Sequence, residues 1–209
     1  MPGLAISEQQ HQRFLQAFPR VLASDVTAAA SVMPAASHEH HRELAVRVDD
    51  EELVLPYRIY HAEPDPGAVT TLAPLAQLVL CCLYTRHHDG HTRQHSLEQV
   101  VTAADLWVVP YVVQLIGEYV VEIIEAVAAA LPELAVPGSP QRALYGRFAA
   151  DNPAFIDLTA ARATSYWNEY HRRYRSQTDY PGRQLIEAVR AAGRERISAV
   201  EGLPSARQK

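Results

Sequence analysis

The chain has 209 residues, of which 48% are hydrophobic and 21% are charged, as is typical of a folded globular protein with a substantial core. Its net charge of −5 argues against a general affinity for nucleic acid, which requires a basic surface. The first residues lack the basic and apolar regions of a signal peptide, so we expect a cytoplasmic protein. We expect one helical domain over residues 1–201 and a flexible tail over residues 202–209.

Two features argue against a disulfide scaffold and a membrane span. Cys81 and Cys82 are adjacent, so they cannot form the separated cross-links of a disulfide framework. The most apolar stretch, residues 107–131, contains three glutamates, and a carboxylate in the middle of a bilayer costs about 3 kcal/mol. We therefore expect two buried thiols on an apolar helix and no membrane association.

The first helix is predicted to begin after Ser7, because Ser7 and Gln10 have the spacing of a capping box. A second helical piece is predicted over about 20–32, and residues 34–43 are interpreted as an exposed linker. Apolar residues then alternate on both sides of Asp49–Glu52, which predicts a small β-hairpin. Pro56 lacks a backbone donor and should lie at a sheet edge. The alternative is an extended arm near residues 44–60 that lies across the helices.

After a loop over residues 61–71, the apolar pattern predicts helices almost to the end of the chain. Their expected ranges are about 72–84, 91–104, 107–131, 139–150, 153–175 and 183–198. The predicted fold class is therefore all-α, with the β-hairpin or extended arm as the exception.

Two windows, Pro74–Val101 and Pro110–Leu131, resemble short HEAT-type repeats. Each opens with proline, and the first continues to an acidic turn with Asp89 and a helical Arg93. The resemblance implies a right-handed stack of helical hairpins in which the turn aspartate and the helix arginine pair. In the second window Glu118 occupies the acidic position, and Glu122 or Ile123 replaces the arginine. Whether 107–131 is a hairpin or one long helix therefore stays open.

The segment Tyr84–Gly90 is the densest cluster of chemically active side chains. Together with Leu83 it is similar to a turn of small bacterial proteins. That similarity implies no function. His87 or His88 could move protons, Asp89 could orient the imidazole and Arg86 could hold an anion. Alternatively, Asp89 caps the next helix and Arg86 covers carbonyls of the preceding one, which would make the segment a structural junction.

Metal and cofactor sites are not predicted. His91 and His95 have the spacing of two helical metal ligands, but they lie opposite the apolar stripe of their helix and should face solvent. The histidine-rich run at 38–41 does not fit the HExxH zinc pattern, and phosphate-binding, dinucleotide-binding, nucleophile-elbow and CxxC patterns are absent.

Two further clusters have alternative interpretations. Arg93 falls on the buried stripe of its helix, so it needs a partner. A polar stripe on the apolar helix could pair internally with Arg93, Arg86 or Arg58, or could line a groove that a partner enters; it consists of Gln114, Glu118, Glu122 and Glu125. Late aromatic residues could stack on nucleic acid or peptide, or could be core residues with a solvated face; they are Tyr166, Trp167, Tyr170, His171 and Tyr174, interleaved with Arg172, Arg173 and Arg175.

We expect a non-enzymatic protein-interaction module with a protein partner, a possible homodimer, and no metal or cofactor. The candidate binding residues are Arg58, Arg86, His87, His88, Asp89, Arg93, Glu118 and Glu122. The alternative is an enzyme that acts on a small anionic substrate through the Arg86–Asp89 turn. A third alternative, DNA handling like that of HEAT-like glycosylases, would need the late arginines on one concave face.

Overall fold

The computed structural model describes residues 6–174 and 176–201. This part of the chain contains ten α-helices and a two-stranded antiparallel sheet, which confirms the mainly helical fold. The chain divides into two compact units between Leu115 and Ile116. The single domain over 1–201 stays a prediction, and the tail over 202–209 lies outside the described residues. No helix in the described ranges has both the length and the apolar character needed to cross a bilayer.

The first unit contains most of the short helices and the sheet. Its helices are α1 (Glu8–Gln16), α2 (Ala23–Ser31), α3 (Pro66–Thr70), α4 (Pro74–Tyr84), α5 (Gly90–Val100) and α6 (Val109–Ile116), the last ending at the division. Its strands are β1 (Glu43–Val48) and β2 (Glu51–Pro56). Helix α4 packs against α2 and α5, and α1 packs against β2. Phe18 stacks on Tyr111 with ring centroids 5.3 Å apart, which joins the α1–α2 region to α6.

Side-chain caps fix the starts of three helices in the first unit. Ser7 and Gln10 form the predicted capping box at α1. Asp89 caps α5, as predicted. Asp65 caps α3, and Pro66 occupies its first turn. The prediction of a plain loop over 61–71 was therefore wrong, although the Asp65–Pro66 pair was a visible start signal.

The β-hairpin is confirmed, and β1 and β2 pair in register from Glu43 opposite Pro56 to Val48 opposite Glu51. Side chains of β1 alternate between exposed and buried, which places Leu44, Val46 and Val48 in the core. The turn contains only Asp49 and Asp50, and Asp49 has a φ of 53°. The structure thus shortens the predicted acidic turn and extends β2 toward it.

The second unit is helical throughout its described part. Its elements are α7 (Val121–Ala130), α8 (Pro140–Asp151), α9 (Pro153–Tyr170) and α10 (Pro181–Glu201), with short 3₁₀ turns at Pro132–Ala135 and Gln177–Asp179. Helix α10 packs against α7, α8 and α9. A bidentate contact between Arg142 and Glu195, with nitrogen–oxygen distances of 2.6 and 2.8 Å, links α8 to α10.

The apolar stretch 107–131 is two helices, because the chain breaks between Ile116 and Val121. The carbonyl of Gly117 accepts from Arg162 Nε at 3.1 Å, and the carbonyl of Tyr119 accepts from His171 Nε2 at 2.8 Å. These side chains satisfy groups that a continuous helix would have satisfied itself. The predicted single polar stripe does not form, since its members lie on different helices and on the break between them.

Candidate functional site

The turn between α4 and α5 lies against the extended segment that follows β2. Ile59 donates its N–H to the carbonyl of Arg86 at 2.9 Å, and His88 donates its N–H to the carbonyl of Ile59 at 3.1 Å. This parallel bridge positions the turn next to Tyr60 and His61.

His87 is buried, and both nitrogens of its ring are used. Nε2 donates to the carbonyl of His61 at 2.8 Å, and Nδ1 accepts the N–H of Asp89 at 3.1 Å. This pattern requires a neutral ring with its proton on Nε2. Burial lowers the pKa of His87, the largest cause of its shift, so the imidazole is held neutral by its surroundings. Proton uptake at Nδ1 would break the bond to Asp89.

Asp89 serves as the N-cap of α5. One carboxylate oxygen, Oδ1, accepts the N–H of His91 at 2.8 Å and the N–H of Thr92 at 3.1 Å. The hydrogen bond from Thr92 is the largest cause of a lowered pKa for Asp89, with His91 adding to it. The carboxylate is thus committed to the helix start.

Arg86 and Arg93 are fully buried and bind backbone carbonyls of the turn. Arg86 Nη2 donates to the carbonyl of Thr85 at 2.6 Å. Arg93 Nη1 donates to the carbonyls of His87 and His88, both at 2.9 Å. The buried position predicted for Arg93 is confirmed. Arg93 thus binds the turn carbonyls while Asp89 caps α5, and the HEAT-type pairing of these two residues stays a prediction.

The remaining candidates lie in different places. Arg58 is half-buried beside the ring of Tyr57, and His88 is exposed. Glu118 is buried and Glu122 is exposed, and both belong to the second unit. Of the candidates in the first unit, His88 presents an exposed side chain, whereas the half-buried guanidinium of Arg58 donates to the carbonyl of Tyr57 at 3.3 Å.

Sequence reasoning missed a cluster of imidazole and phenol rings in the first unit. Its rings contact one another at centroid distances of 5.0 Å (Tyr60–His88), 5.1 Å (His38–Tyr60), 5.7 Å (His40–Tyr57) and 6.3 Å (His40–Tyr60). We call this cluster the His–Tyr surface: His38, His40, Tyr57, Tyr60 and His88. All five side chains are exposed or half-buried. The histidine-rich run at 38–41 was a signal for it, but the run was interpreted as a linker.

A shallow pocket of about 30 Å³ lies beside the His–Tyr surface. Arg13 and Glu43, which line it, form an ion pair with a nitrogen–oxygen distance of 2.8 Å. A volume of this size holds about one water molecule, whereas sites for drug-sized ligands occupy about 300–1,000 Å³. The pocket therefore does not fit an organic substrate in this conformation.

The histidines of α5 and the late aromatic cluster contribute no further site. His91 and His95 are exposed, as predicted, and no group of three metal-binding side chains occurs among the described residues. In the late cluster, Tyr170 is 63% exposed while His171 is buried and donates to a carbonyl. This cluster therefore has a core part and a solvated part, and Arg175 lies outside the described residues.

Comparison of the chain with protein-family models, curated proteins and solved structures gave no significant match.

Proposed function

We propose that this protein is a non-enzymatic interaction module that binds a protein partner through the His–Tyr surface. The observation that carries the proposal is the mutual contact, stacked or edge-on, of exposed and half-buried rings from three separate chain segments. Rings that are already held by their neighbours lose little conformational entropy when a partner binds.

The chemistry of this surface suits a protein partner. Arg42 lies over the ring of Tyr57 with its guanidinium carbon 4.3 Å from the ring centroid, and Arg58 lies near the same ring at 5.3 Å. Tyrosine and arginine are enriched at the centres of protein interfaces, where they contribute much of the binding energy. Ring faces, guanidinium groups and imidazole nitrogens together offer apolar contact and hydrogen bonding at one place.

The enzyme alternative has less support. The imidazole of His87, the carboxylate of Asp89 and the guanidinium of Arg93 each bind backbone groups of the turn. A catalytic acid or base needs an atom within reach of substrate, and His87 is buried with both nitrogens engaged. These contacts favour a structural role for the turn. Its exposed residue His88 belongs to the His–Tyr surface instead.

We also propose that the helical pairs of the first unit follow a HEAT-like arrangement. Helices α4 and α5 pack against each other as a hairpin, and α2 also packs against α4. Helix α4 begins with a proline, Pro74. Helix α5 is capped by Asp89 and contains the buried Arg93. These features support the proposal for one hairpin of the chain.

The interaction is tested by affinity capture from an extract of the source organism. The double variant Tyr60→Ala/His88→Ala removes two stacked rings, while Tyr170→Ala removes an exposed tyrosine of the second unit as a matched control. We expect a protein that the wild type and the control retain and that the double variant loses about tenfold or more. Equal retention by all three proteins, or retention of nothing by the wild type, would overturn the proposal.

A further inference from the structure

The outer edge of β1 has backbone groups that the hairpin does not use. Tyr57 donates its N–H to the carbonyl of Arg42 at 3.0 Å, so Arg42 and Tyr57 are a hydrogen-bonded pair. In an antiparallel ladder, hydrogen-bonded and non-hydrogen-bonded pairs alternate. In the observed register, Leu44, Val46 and Val48 therefore bond to β2. The backbone N–H and C=O groups of Glu43, Ala45 and Arg47 point away from β2.

The two edges of this small sheet differ. The last residue of β2, Pro56, lies at an outward-facing position and has no N–H to offer another strand. Helix α1 packs against β2 as well. A proline at such a position is a common way of blocking a sheet edge. On β1, Ala45 is exposed, and the alternation of the ladder directs its N–H and C=O away from β2. The strand β1 therefore offers an edge that another strand can extend.

The sequence of β1 is complementary to itself in the antiparallel direction. If two copies pair with Ala45 opposite Ala45, Glu43 of one copy lies opposite Arg47 of the other, and the reverse pair is equivalent. These residues have outward-facing backbone groups in both copies, so they form the hydrogen-bonded pairs of the new ladder. Their side chains share the exposed face of the sheet, where opposite charges directly across a ladder are favourable.

We propose that two copies of this chain associate through β1 to form a continuous four-stranded antiparallel sheet with two-fold symmetry. A two-fold interface uses the same surface on both copies, and the Glu43–Ala45–Arg47 pattern meets that requirement. The buried side chains of β1 keep their places, because the register preserves which face each residue occupies. The interface uses the β1 edge, so its failure would leave the binding proposed for the His–Tyr surface unaffected.

The test is sedimentation velocity over a series of protein concentrations. Ala45→Pro removes an outward N–H but no hydrogen bond of the hairpin, so the fold should persist, as followed by circular dichroism. We expect the wild type to dimerise with increasing concentration and Ala45→Pro to weaken dimerisation about tenfold or more. A wild type that stays monomeric throughout the series, or an Ala45→Pro variant that dimerises equally well, would overturn the proposal.

Charge variants test the register independently of proline. Arg47→Glu places like charges opposite each other across the new ladder, and also opposite Glu52 within the hairpin, so its effect on the dimer is read together with its thermal unfolding. It should weaken the dimer, whereas Arg194→Glu changes the same charge at an exposed position of α10 and should not. The swap Glu43→Arg/Arg47→Glu restores opposite charges in the same register and should recover dimerisation relative to Arg47→Glu. It also removes the ion pair of Arg13 with Glu43, so thermal unfolding of each variant is followed alongside. A swap no better than Arg47→Glu would overturn this register.

Discussion

At the scale of single residues, the side chains with the most reactive chemistry are used to hold a turn together. The imidazole of His87 bridges the carbonyl of His61 and the N–H of Asp89. Arg93 binds two carbonyls of the same turn, and both residues are buried. Buried polar groups of this kind stabilise a structure only while all of their bonds are made. The turn should therefore be sensitive to protonation and to truncation.

The pH dependence of stability follows from His61 and His87. Burial is the largest cause that lowers each pKa below the ordinary 6.5. The unfolded chain then binds more protons than the folded chain, so the free energy of unfolding should fall as the pH drops through 6.5. Urea denaturation at about pH 7.5 and about pH 5.5 measures this loss.

The histidine contribution can be separated from that of the carboxylates. Asp89 and Glu195 have lowered pKa values, through hydrogen bonds from Thr92 and Arg142 respectively, so their stabilising effect is lost only at more acidic pH. His87→Gln should reduce the change between pH 7.5 and pH 5.5, whereas His91→Gln, at an exposed position, should leave it as in the wild type. An identical pH dependence in the His87→Gln variant would contradict this assignment.

Gln114 is a buried amide on α6 whose Nε2 and Oε1 have no hydrogen-bond partner among the described residues. An unsatisfied buried polar group costs about 1–3 kcal/mol, so Gln114→Met should raise the free energy of unfolding by about that amount. Gln99→Met, at an exposed position of α5, should change it by less than about 0.5 kcal/mol. Urea denaturation measures both, and a destabilised Gln114→Met variant would contradict the prediction.

The roles of single residues could be predicted where they depend only on the position of the residue within one helix. The spacing of Arg93 from Leu97 predicted its burial, and the position of Asp89 before the apolar pattern predicted its cap. The His–Tyr surface could not be predicted in this way. His40, Tyr60 and His88 belong to different segments, and only the path of the chain brings their rings together.

At the scale of elements, the turn of the β-hairpin places a non-glycine residue in the left-handed region, since Asp49 has a φ of 53°. Asp49→Gly and Asp49→Ala remove the same carboxylate, and they differ mainly in the cost of a Cβ at this φ. We expect the alanine variant to be about 1 kcal/mol less stable than the glycine variant in urea denaturation. Equal stability of the two variants would contradict the strained turn.

Helices α8 and α10 approach each other closely at Gly146. A Cβ at this position would lie 2.7 Å from the carbonyl oxygen of Ala192, which is backbone and cannot rotate away. Gly146→Ala should therefore destabilise the protein by about 1–3 kcal/mol, although alanine favours helix by about 1 kcal/mol at an open position. Ala143→Gly, at an exposed position of α8, measures that propensity alone. A more stable Gly146→Ala variant would show that the helices are not in contact here.

Element type was predictable where the apolar pattern had a clear period, as in β1, and where a cap was present, as in α1. The break within 107–131 was not predictable by the same means. Its residues are apolar on nearly every face, so periodicity carries no information about an interruption. The break depends on α9, whose Arg162 and the following His171 bind the carbonyls that it exposes.

At the scale of the whole molecule, composition and periodicity were sufficient to predict a mainly helical chain with a small hairpin or an extended arm near residues 44–60, and the structure has the hairpin. They could not predict that the chain divides into two compact units at Leu115, since the division falls at the end of an apolar helix without a polar linker. The proposed partner surface lies in the first unit, where contacts between rings of distant segments produce a surface that no short motif encodes.

The most direct test of that account places a photoreactive benzoylphenylalanine at position 60 or, as a control, at position 170. Tyr60 belongs to the His–Tyr surface, whereas Tyr170 is an exposed tyrosine of the second unit. On irradiation in the source cells, we predict a covalent adduct with another protein from position 60 and much less adduct from position 170. The absence of an adduct from position 60, or equal adducts from both positions, would contradict the proposed interaction surface.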